Sequence, residues 1–313
     1  MKDGERSIAF QSISHLIDKD AALIRHWPLT GGVSASIDAL ELRFPDGTSR
    51  CFVVRRAGEH QWKDQTDNTI EIEFALQRAL FQKGLPVAEQ VLLDNTCEVL
   101  PTPYAVMAMV EGTTEVPEPK IESAMHSMAE FLLRLHQLEP DSIAVSGLPP
   151  REDPVAGALL YIPDTSQWSE LRKAISDWQP TDVPASILHG DFWPGNIIWR
   201  DDQIAAVIDW EDSATGTAVS DVACCRAEIM AMYGPQAVTI FTDHYCKYST
   251  LDLSDQALWD AYCGFAALAT MHDWGLEPQT EARRRVSTEL FVKQAAENII
   301  SQGQRNTPCL LYT

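Results

Sequence analysis

The spacing of apolar residues changes once along this chain, and that change restricts the fold more than any other feature of the sequence. Up to about residue 110 the dominant spacing is two. Ile37-Asp38-Ala39-Leu40-Glu41-Leu42-Arg43-Phe44 alternates apolar and polar side chains, the pattern of a strand with one buried face. Pro45-Asp46-Gly47 is turn chemistry and Cys51-Phe52-Val53-Val54 resumes the alternation, which predicts a hairpin. Ile72, Leu76 and Leu80, with Phe74 and Phe81 beside them, predict a helix over 68–83 that Gly84 closes. Residues 87–93 and 104–110 read as two further strands. After Gly112 the spacing becomes three to four: Ile121, Met125, Met128, Leu132 and Leu135 form one helical stripe. Short strands return at 186–188, 197–199 and 204–208. From Ala218 the pattern is helical nearly to the end, broken at Gly234-Pro235 and Glu277-Pro278. The expected fold class is therefore α+β. A small antiparallel-sheet lobe occupies 1–110 and a larger, mainly helical lobe 111–313, joined by the stiff segment Val116-Pro117-Glu118-Pro119.

The charge balance excludes one class of partner. Twenty-four Lys and Arg stand against 45 Asp and Glu, a net charge of −21; phosphate backbones need the opposite field, so nucleic acid is not expected. The surplus sits in 111–313, with 13 basic and 30 acidic residues, and an acidic cleft there would concentrate cations. The longest apolar run, residues 261–271, is far shorter than the ~20 residues of a membrane-spanning helix. No apolar stretch follows Met1-Lys2-Asp3-Gly4-Glu5-Arg6 as it would in a secretory leader. Seven cysteines, an odd set without a Cys-x-x-Cys pair, suit reduced thiols in a cytoplasm. The sequence does not specify an oligomeric state.

The chemistry concentrates in Leu188-His189-Gly190-Asp191-Phe192-Trp193-Pro194-Gly195-Asn196-Ile197-Ile198-Trp199, followed 13 residues after Asn196 by Val207-Ile208-Asp209-Trp210-Glu211. A strand runs into a Gly/Pro loop bearing Asp191 and Asn196, and a hairpin returns Asp209. Three oxygen-bearing side chains then gather at one end of a small sheet, as a hard cation such as Mg2+ requires. A carboxylate left free of the cation can accept the proton of a substrate hydroxyl.

His-x-Asp with Asn five positions after the Asp, and a second Asp downstream, resembles the catalytic core of protein-kinase-like phosphotransferases. The form His-Gly-Asp with Ile-Asp-Trp-Glu is similar to the aminoglycoside phosphotransferase and choline kinase branch. The chain lacks the Asp-Phe-Gly and Ala-Pro-Glu segments of protein kinases. The resemblance implies a bilobal fold, with Asp191 as catalytic base, Asn196 and Asp209 as ligands of Mg2+, and ATP or GTP as co-substrate. His189 and Asp221 would brace the loop. Leu29-Thr30-Gly31-Gly32-Val33-Ser34 looks like the phosphate-covering loop, with Gly31, Gly32 and Ser34 as contacts, although Ala35 stands where the family often has Asn. Arg55 takes the place of the phosphate-gripping Lys, and strand alternation sends Arg56 to the opposite face. Glu73 is its expected helix partner, with Glu71 as rival. Met107 and Met109 fall in the segment resembling the hinge that contacts the base, where Ala108 replaces the family's common Glu. His136, in Leu132-Leu133-Arg134-Leu135-His136, reads as a satisfied core residue.

The implied activity is Mg2+-dependent transfer of a γ-phosphoryl group to a hydroxyl of a small, cationic acceptor such as an amino-sugar or amino-alcohol. Glu211, Asp212, Glu228, Asp260, Asp273 and Glu277 are candidate acids for such a pocket, and Trp259, Tyr262 and Trp274 candidate aromatics, more readily read as core. The alternative is a catalytically silent nucleotide-binding module, against which stands the presence of Asp191, Asn196 and Asp209 together.

Overall fold

The computed structural model describes residues 3–29, 35–57, 69–116, 120–143 and 145–303. The chain divides into two compact units: Met1–Gly112 with Ile143–Leu148 and Ala205–Asp212, and the remainder.

The first unit is built on a five-stranded antiparallel sheet in the order β1-β2-β3-β5-β4. Its strands are β1 (Ala22–Pro28), β2 (Ala35–Arg43), β3 (Ser49–Ala57), β4 (Gln90–Asp94) and β5 (Tyr104–Ala108). The expected β2–β3 hairpin forms, with Arg43 opposite Ser49 and Ile37 opposite Arg55. At its turn, Gly47 takes φ +85° and Asp46 accepts hydrogen bonds from the Thr48 amide and hydroxyl at 2.9 and 2.7 Å. One face of the sheet packs Leu40, Leu42, Phe52, Val54 and Val106 against Phe10 and Ile13 of α1 (Asp3–Ile17). Neither α1 nor β1 was expected. Helix α1 carries apolar residues on both faces, Phe10 and Ile13 buried but Ile8 and Leu16 exposed, so its periodicity is blurred.

Helix α2 (Ile70–Gln82) ends at Gly84, whose φ of +78° lets the Leu85 amide return to the Leu80 carbonyl at 3.1 Å. Residues 205–212 belong to this unit because the Val207 amide donates to the Pro86 carbonyl at 2.8 Å, with Val207 bridging parallel to Val87. A distant segment of chain is thus delivered to the sheet.

The second unit is mainly helical: α3 (Ile121–His136), α4 (Pro154–Tyr161), α5 (Ser169–Ser176), α6 (Val219–Tyr233), α7 (Pro235–Tyr248), α8 (Gln256–Thr270) and α9 (Pro278–Gly303). Local chemistry sets their ends. Asp153 caps α4 by accepting from the Val155 and Ala156 amides, with Pro154 in the first turn. Gly234, at φ +82°, separates α6 from α7. Ala158, Leu171, Ile175, Leu258, Phe265, Val292 and Ile299 from α4, α5, α8 and α9 form one buried core. Between the helices run β6 (Ser186–Leu188), paired antiparallel with β9 (Ala214–Gly216), then β7 (Ile197–Arg200) and β8 (Gln203–Val207). Asp201 and Asp202, both at positive φ, make the two-residue turn into β8. Among the described residues no helix is long and apolar enough to cross a membrane.

Candidate active site

In the second unit the loop after β6 is held from three sides. Asp221, buried on α6, accepts from the His189 amide at 2.7 Å and the Gly190 amide at 2.9 Å, and its Oδ2 lies 3.2 Å from His136 Nε2. His136 in turn meets the Tyr245 hydroxyl at 2.7 Å through Nδ1. Burial alone would raise the Asp221 carboxyl, but the hydrogen bond and charge of His136, with the His189 ring and amide, hold it below the usual carboxylate range. Gly190 is at φ +86°, a turn that a side chain would resist. His189 accepts the Asp191 amide at its Nδ1, 3.3 Å away, and its ring meets Phe192 edge-on. Phe192 stacks on Phe131 of α3 at 5.3 Å.

This frame presents Asp191, which is half-buried. Asn196 Nδ2 donates to both the backbone carbonyl and Oδ2 of Asp191, each at 2.9 Å. Both bonds leave from Nδ2, so Oδ1 is the oxygen that Asn196 can offer a cation. A Cβ at Gly195 would come within 2.2 Å of the Trp193 ring, so a side chain there would have to displace that indole. The arrangement can orient a hydroxyl at Asp191 and take its proton.

In the first unit, Arg55 lies on the sheet face opposite the α1 core and is nine-tenths buried. Nη1 donates to Glu73 on α2 at 3.0 Å; Nη2 donates to Glu211 at 2.8 Å and reaches Asp209 at 3.5 Å. Glu71 is not its partner. Arg56 faces the other way, as alternation requires, and donates to Ser36 and Asp38 alongside Arg6 of α1. Burial pushes Glu73 up to about 8; Arg55 opposes this, while Glu211, Asp209 and Asp212 add to it. Burial and then Glu211 also raise Asp209, against the pull of Arg55. Arg55 itself stays firmly charged, its three carboxylates outweighing the cost of burial. Asp209 takes φ +66°, a backbone state that Asp tolerates better than most residues. The Trp210 indole beside it is buried and donates to the Val207 carbonyl.

Three carboxyl groups crowd one guanidinium, and with Glu73 pushed up to about 8 the acidic charge near neutrality comes from Asp209 and Glu211, which a cation would help offset. Among the described residues no three His, Cys, Asp or Glu gather as a self-sufficient metal site. An amide oxygen and one or two carboxylates, completed by substrate phosphates, are what Mg2+ commonly takes. The Asp209 carboxylate in the first unit and the Asn196 amide oxygen in the second are each donors of the kind that ion takes.

Met107 sits on β5 opposite Val53, half-buried, its sulfur accepting from Gln90 at 3.9 Å; the Met109 amide donates to the Cys51 carbonyl. Gly31, Gly32 and Ser34 lie outside the described residues. Of the acids considered for a cationic pocket, Glu211 is held by Arg55, Asp260 by Arg226 and Glu228 by Arg284. Asp273 and Glu277 are exposed. Trp259 is core.

A profile of the phosphotransferase enzyme family matches residues 33–265, from the last residues of the expected phosphate loop into α8. The chain belongs to that family. Its solved relatives show the same protein-kinase-like fold. A choline/ethanolamine kinase family protein from Mesorhizobium loti superimposes with a TM-score of 0.59 at 14% identity, over 96% of this chain and 98% of that one. A macrolide 2'-phosphotransferase from Brachybacterium faecium does so at 0.58 and 13%, over 90% and 97%. Among curated proteins, Acyl-CoA dehydrogenase family member 11 of Gallus gallus is 30% identical over 175 residues, 49% of this chain. The match spans only 22% of that longer protein. A homoserine kinase of Granulibacter bethesdensis is 29% identical over 116 residues, 31% of this chain and 34% of that enzyme.

Sequence reasoning missed Glu211 as the tightest partner of Arg55, because nothing in Asp209-Trp210-Glu211 says which way the third side chain turns. It also passed over Trp193 and Arg284. Arg284 lies within Arg283-Arg284-Arg285, which reads as a solvated helix face.

Proposed function

We propose that this chain is a Mg2+-dependent small-molecule kinase of the cytoplasm, moving the γ-phosphoryl group of ATP or GTP to an acceptor hydroxyl. What carries the reading is the Asp191–Asn196 pair on a loop pinned by Asp221. Asp191 would align the hydroxyl and accept its proton as the new oxygen–phosphorus bond forms and the bond to the nucleoside diphosphate breaks. Asn196 Oδ1 and Asp209 would hold Mg2+. When bound, that ion neutralises charge on the phosphates. Arg55, kept in place by Glu73, would grip phosphate through its planar fork. Gly31, Gly32 and Ser34 would cover the phosphates, and the segment at Met107 and Met109 would contact the base.

The cationic acceptor expected from net charge loses much of its support, since three of the six acids behind it are already engaged by arginine. A second acceptor class, a hydroxyacyl thioester, is favoured by the shared segment with proteins named acyl-CoA dehydrogenases. The test is Mg2+-dependent nucleotide consumption over amino-sugars, amino-alcohols, hydroxy acids and hydroxyacyl thioesters, beside Asp191→Ala. Acceptor-dependent turnover abolished in the variant supports the reading. Tight nucleotide binding without turnover on any acceptor favours the silent module, and full activity of Asp191→Ala removes the base.

A further inference from the structure

Within the second unit, Trp193 projects from the catalytic loop two residues after Asp191, and Arg284 of α9 lies over its ring with the guanidinium carbon 5.7 Å from the centroid. The Arg284 side chain is nine-tenths buried, and only Nη1 is spent on the protein, donating to Glu228 of α6 at 3.0 Å. Among the described residues no acceptor bonds Nε or Nη2. The neighbouring Arg285, by contrast, commits Nε and both terminal nitrogens to Glu281 and the Leu268 carbonyl. The Arg284 side chain is largely enclosed, yet Nε and Nη2 themselves keep contact with solvent, so this edge stays open for a ligand to take. The Nε–Nη2 edge is the fork that takes an oxyanion through two parallel hydrogen bonds. Tyr233, at the end of α6, is close enough for its phenol to feel the Arg284 charge, so a hydroxyl stands in the same neighbourhood.

We propose that Arg284 is an acceptor-binding residue and that the acceptor is a hydroxy acid, its carboxylate seated on the Nε–Nη2 edge beside Trp193. This rests on the phosphotransferase reading, which supplies the reacting hydroxyl at Asp191. Glu228 sets the strength of the site: it neutralises one edge of the guanidinium and leaves the other for the ligand.

The test separates binding from turnover. Binding of glycerate and hydroxybutyrate is measured by saturation-transfer NMR on the full chain without nucleotide, against glycerol (neutral), serinol (cationic) and glycerol phosphate. Hydroxy acids are expected to bind at least about tenfold tighter than the neutral and cationic analogues, as one charge-assisted pair allows. Arg284→Lys, which keeps the charge but loses the fork, should weaken them about tenfold. Glu228→Gln should tighten them several-fold, a gain that misfolding cannot imitate. Equal binding to wild type and Arg284→Lys, preference for serinol, or no tightening in Glu228→Gln overturns the proposal; preference for glycerol phosphate replaces the carboxylate with a phosphate ester. Phosphotransfer is then assayed on the same compounds. Arg284-dependent binding with no nucleotide consumed removes the kinase reading and keeps the site. Turnover of amino-alcohols that is indifferent to Arg284 does the reverse.

Discussion

Replacing Asp221 tests whether the catalytic loop is positioned from beneath. Asp221 accepts from two backbone amides, at His189 and Gly190, and contacts His136, all out of solvent. Hydrogen bonds to a buried charged acceptor contribute roughly 1.5–3 kcal/mol each, and removing the acceptor leaves the two amides unpaired. Breaking a buried charged contact typically costs about 3–5 kcal/mol, so Asp221→Ala should destabilise by about that amount. Asp221→Asn keeps one acceptor oxygen but turns an N–H toward a donor, and about 2 kcal/mol is expected. Equilibrium unfolding in guanidinium chloride measures both, provided the slope is unchanged so that the midpoint reports stability. A pH series adds an independent sign. The Asp221 carboxyl is held below its usual value, so its contribution is complete above the unfolded aspartate value near ~3.9. It is lost as pH falls through the lower folded value. The stability gap between wild type and Asp221→Asn should therefore close as acid approaches that range, and stay constant near neutrality. In the same proteins kcat should fall more than the KM for nucleotide. An alanine variant within about 1 kcal/mol of wild type, a gap indifferent to acid, or unchanged turnover would refute the bracing role.

Gly195→Ala places a Cβ 2.2 Å from Trp193 Cη2; overpacking of this kind costs about 1–3 kcal/mol. Thermal unfolding should drop accordingly while phosphotransfer falls further, because the displaced loop carries Asp191; a fully active variant would mean that Trp193 moves freely. Glu73 is pushed up to about 8, so the folded state keeps a proton that the unfolded chain releases above ~4.3. Its contribution is complete below that value and is lost as pH rises through about 8. Glu73→Gln, which cannot ionise, should flatten that decline in melting temperature, and an unchanged slope would place the titration elsewhere.

The sequence made the sheet and the loop legible for a physical reason. The β2–β3 hairpin has one buried face, so its alternation is strict and its turn is chemically marked. Asp191 and Asn196 stand five positions apart in a segment whose Gly190, Pro194 and Gly195 fix the backbone, and the Arg55–Glu73 pair follows from strand parity meeting a helix stripe. Helix α1 was not legible, because apolar Ile8 and Leu16 lie on its outer face. Nor was the break between α7 and α8, where Ser249 to Asp255 carry neither Gly nor Pro. The third partner of Arg55 and the open edge of Arg284 were beyond reach for a different reason. Both depend on which nitrogen of a guanidinium meets which oxygen, and no spacing rule encodes that.

Net charge is a poor guide to the acceptor for the same reason. An excess of −21 is spread over a surface where salt screens each charge beyond about 8 Å, so it steers approach more than it selects a ligand. Selection belongs to groups held out of water. Among the described residues three arginines are buried, each shared with acids: Arg55 among Glu73, Asp209 and Glu211, Arg226 with Asp260, Arg284 with Glu228. Arg226 uses Nε, Nη1 and Nη2 on protein oxygens, which leaves it a structural role. Arg55 is oversubscribed, its two terminal nitrogens shared among three carboxyl groups. Arg284 is undersubscribed, with an edge to spare beside the loop that bears Asp191. In a chain this acidic, a buried cation with unused donors is the rarer resource, and it is the acceptor's charge that it selects.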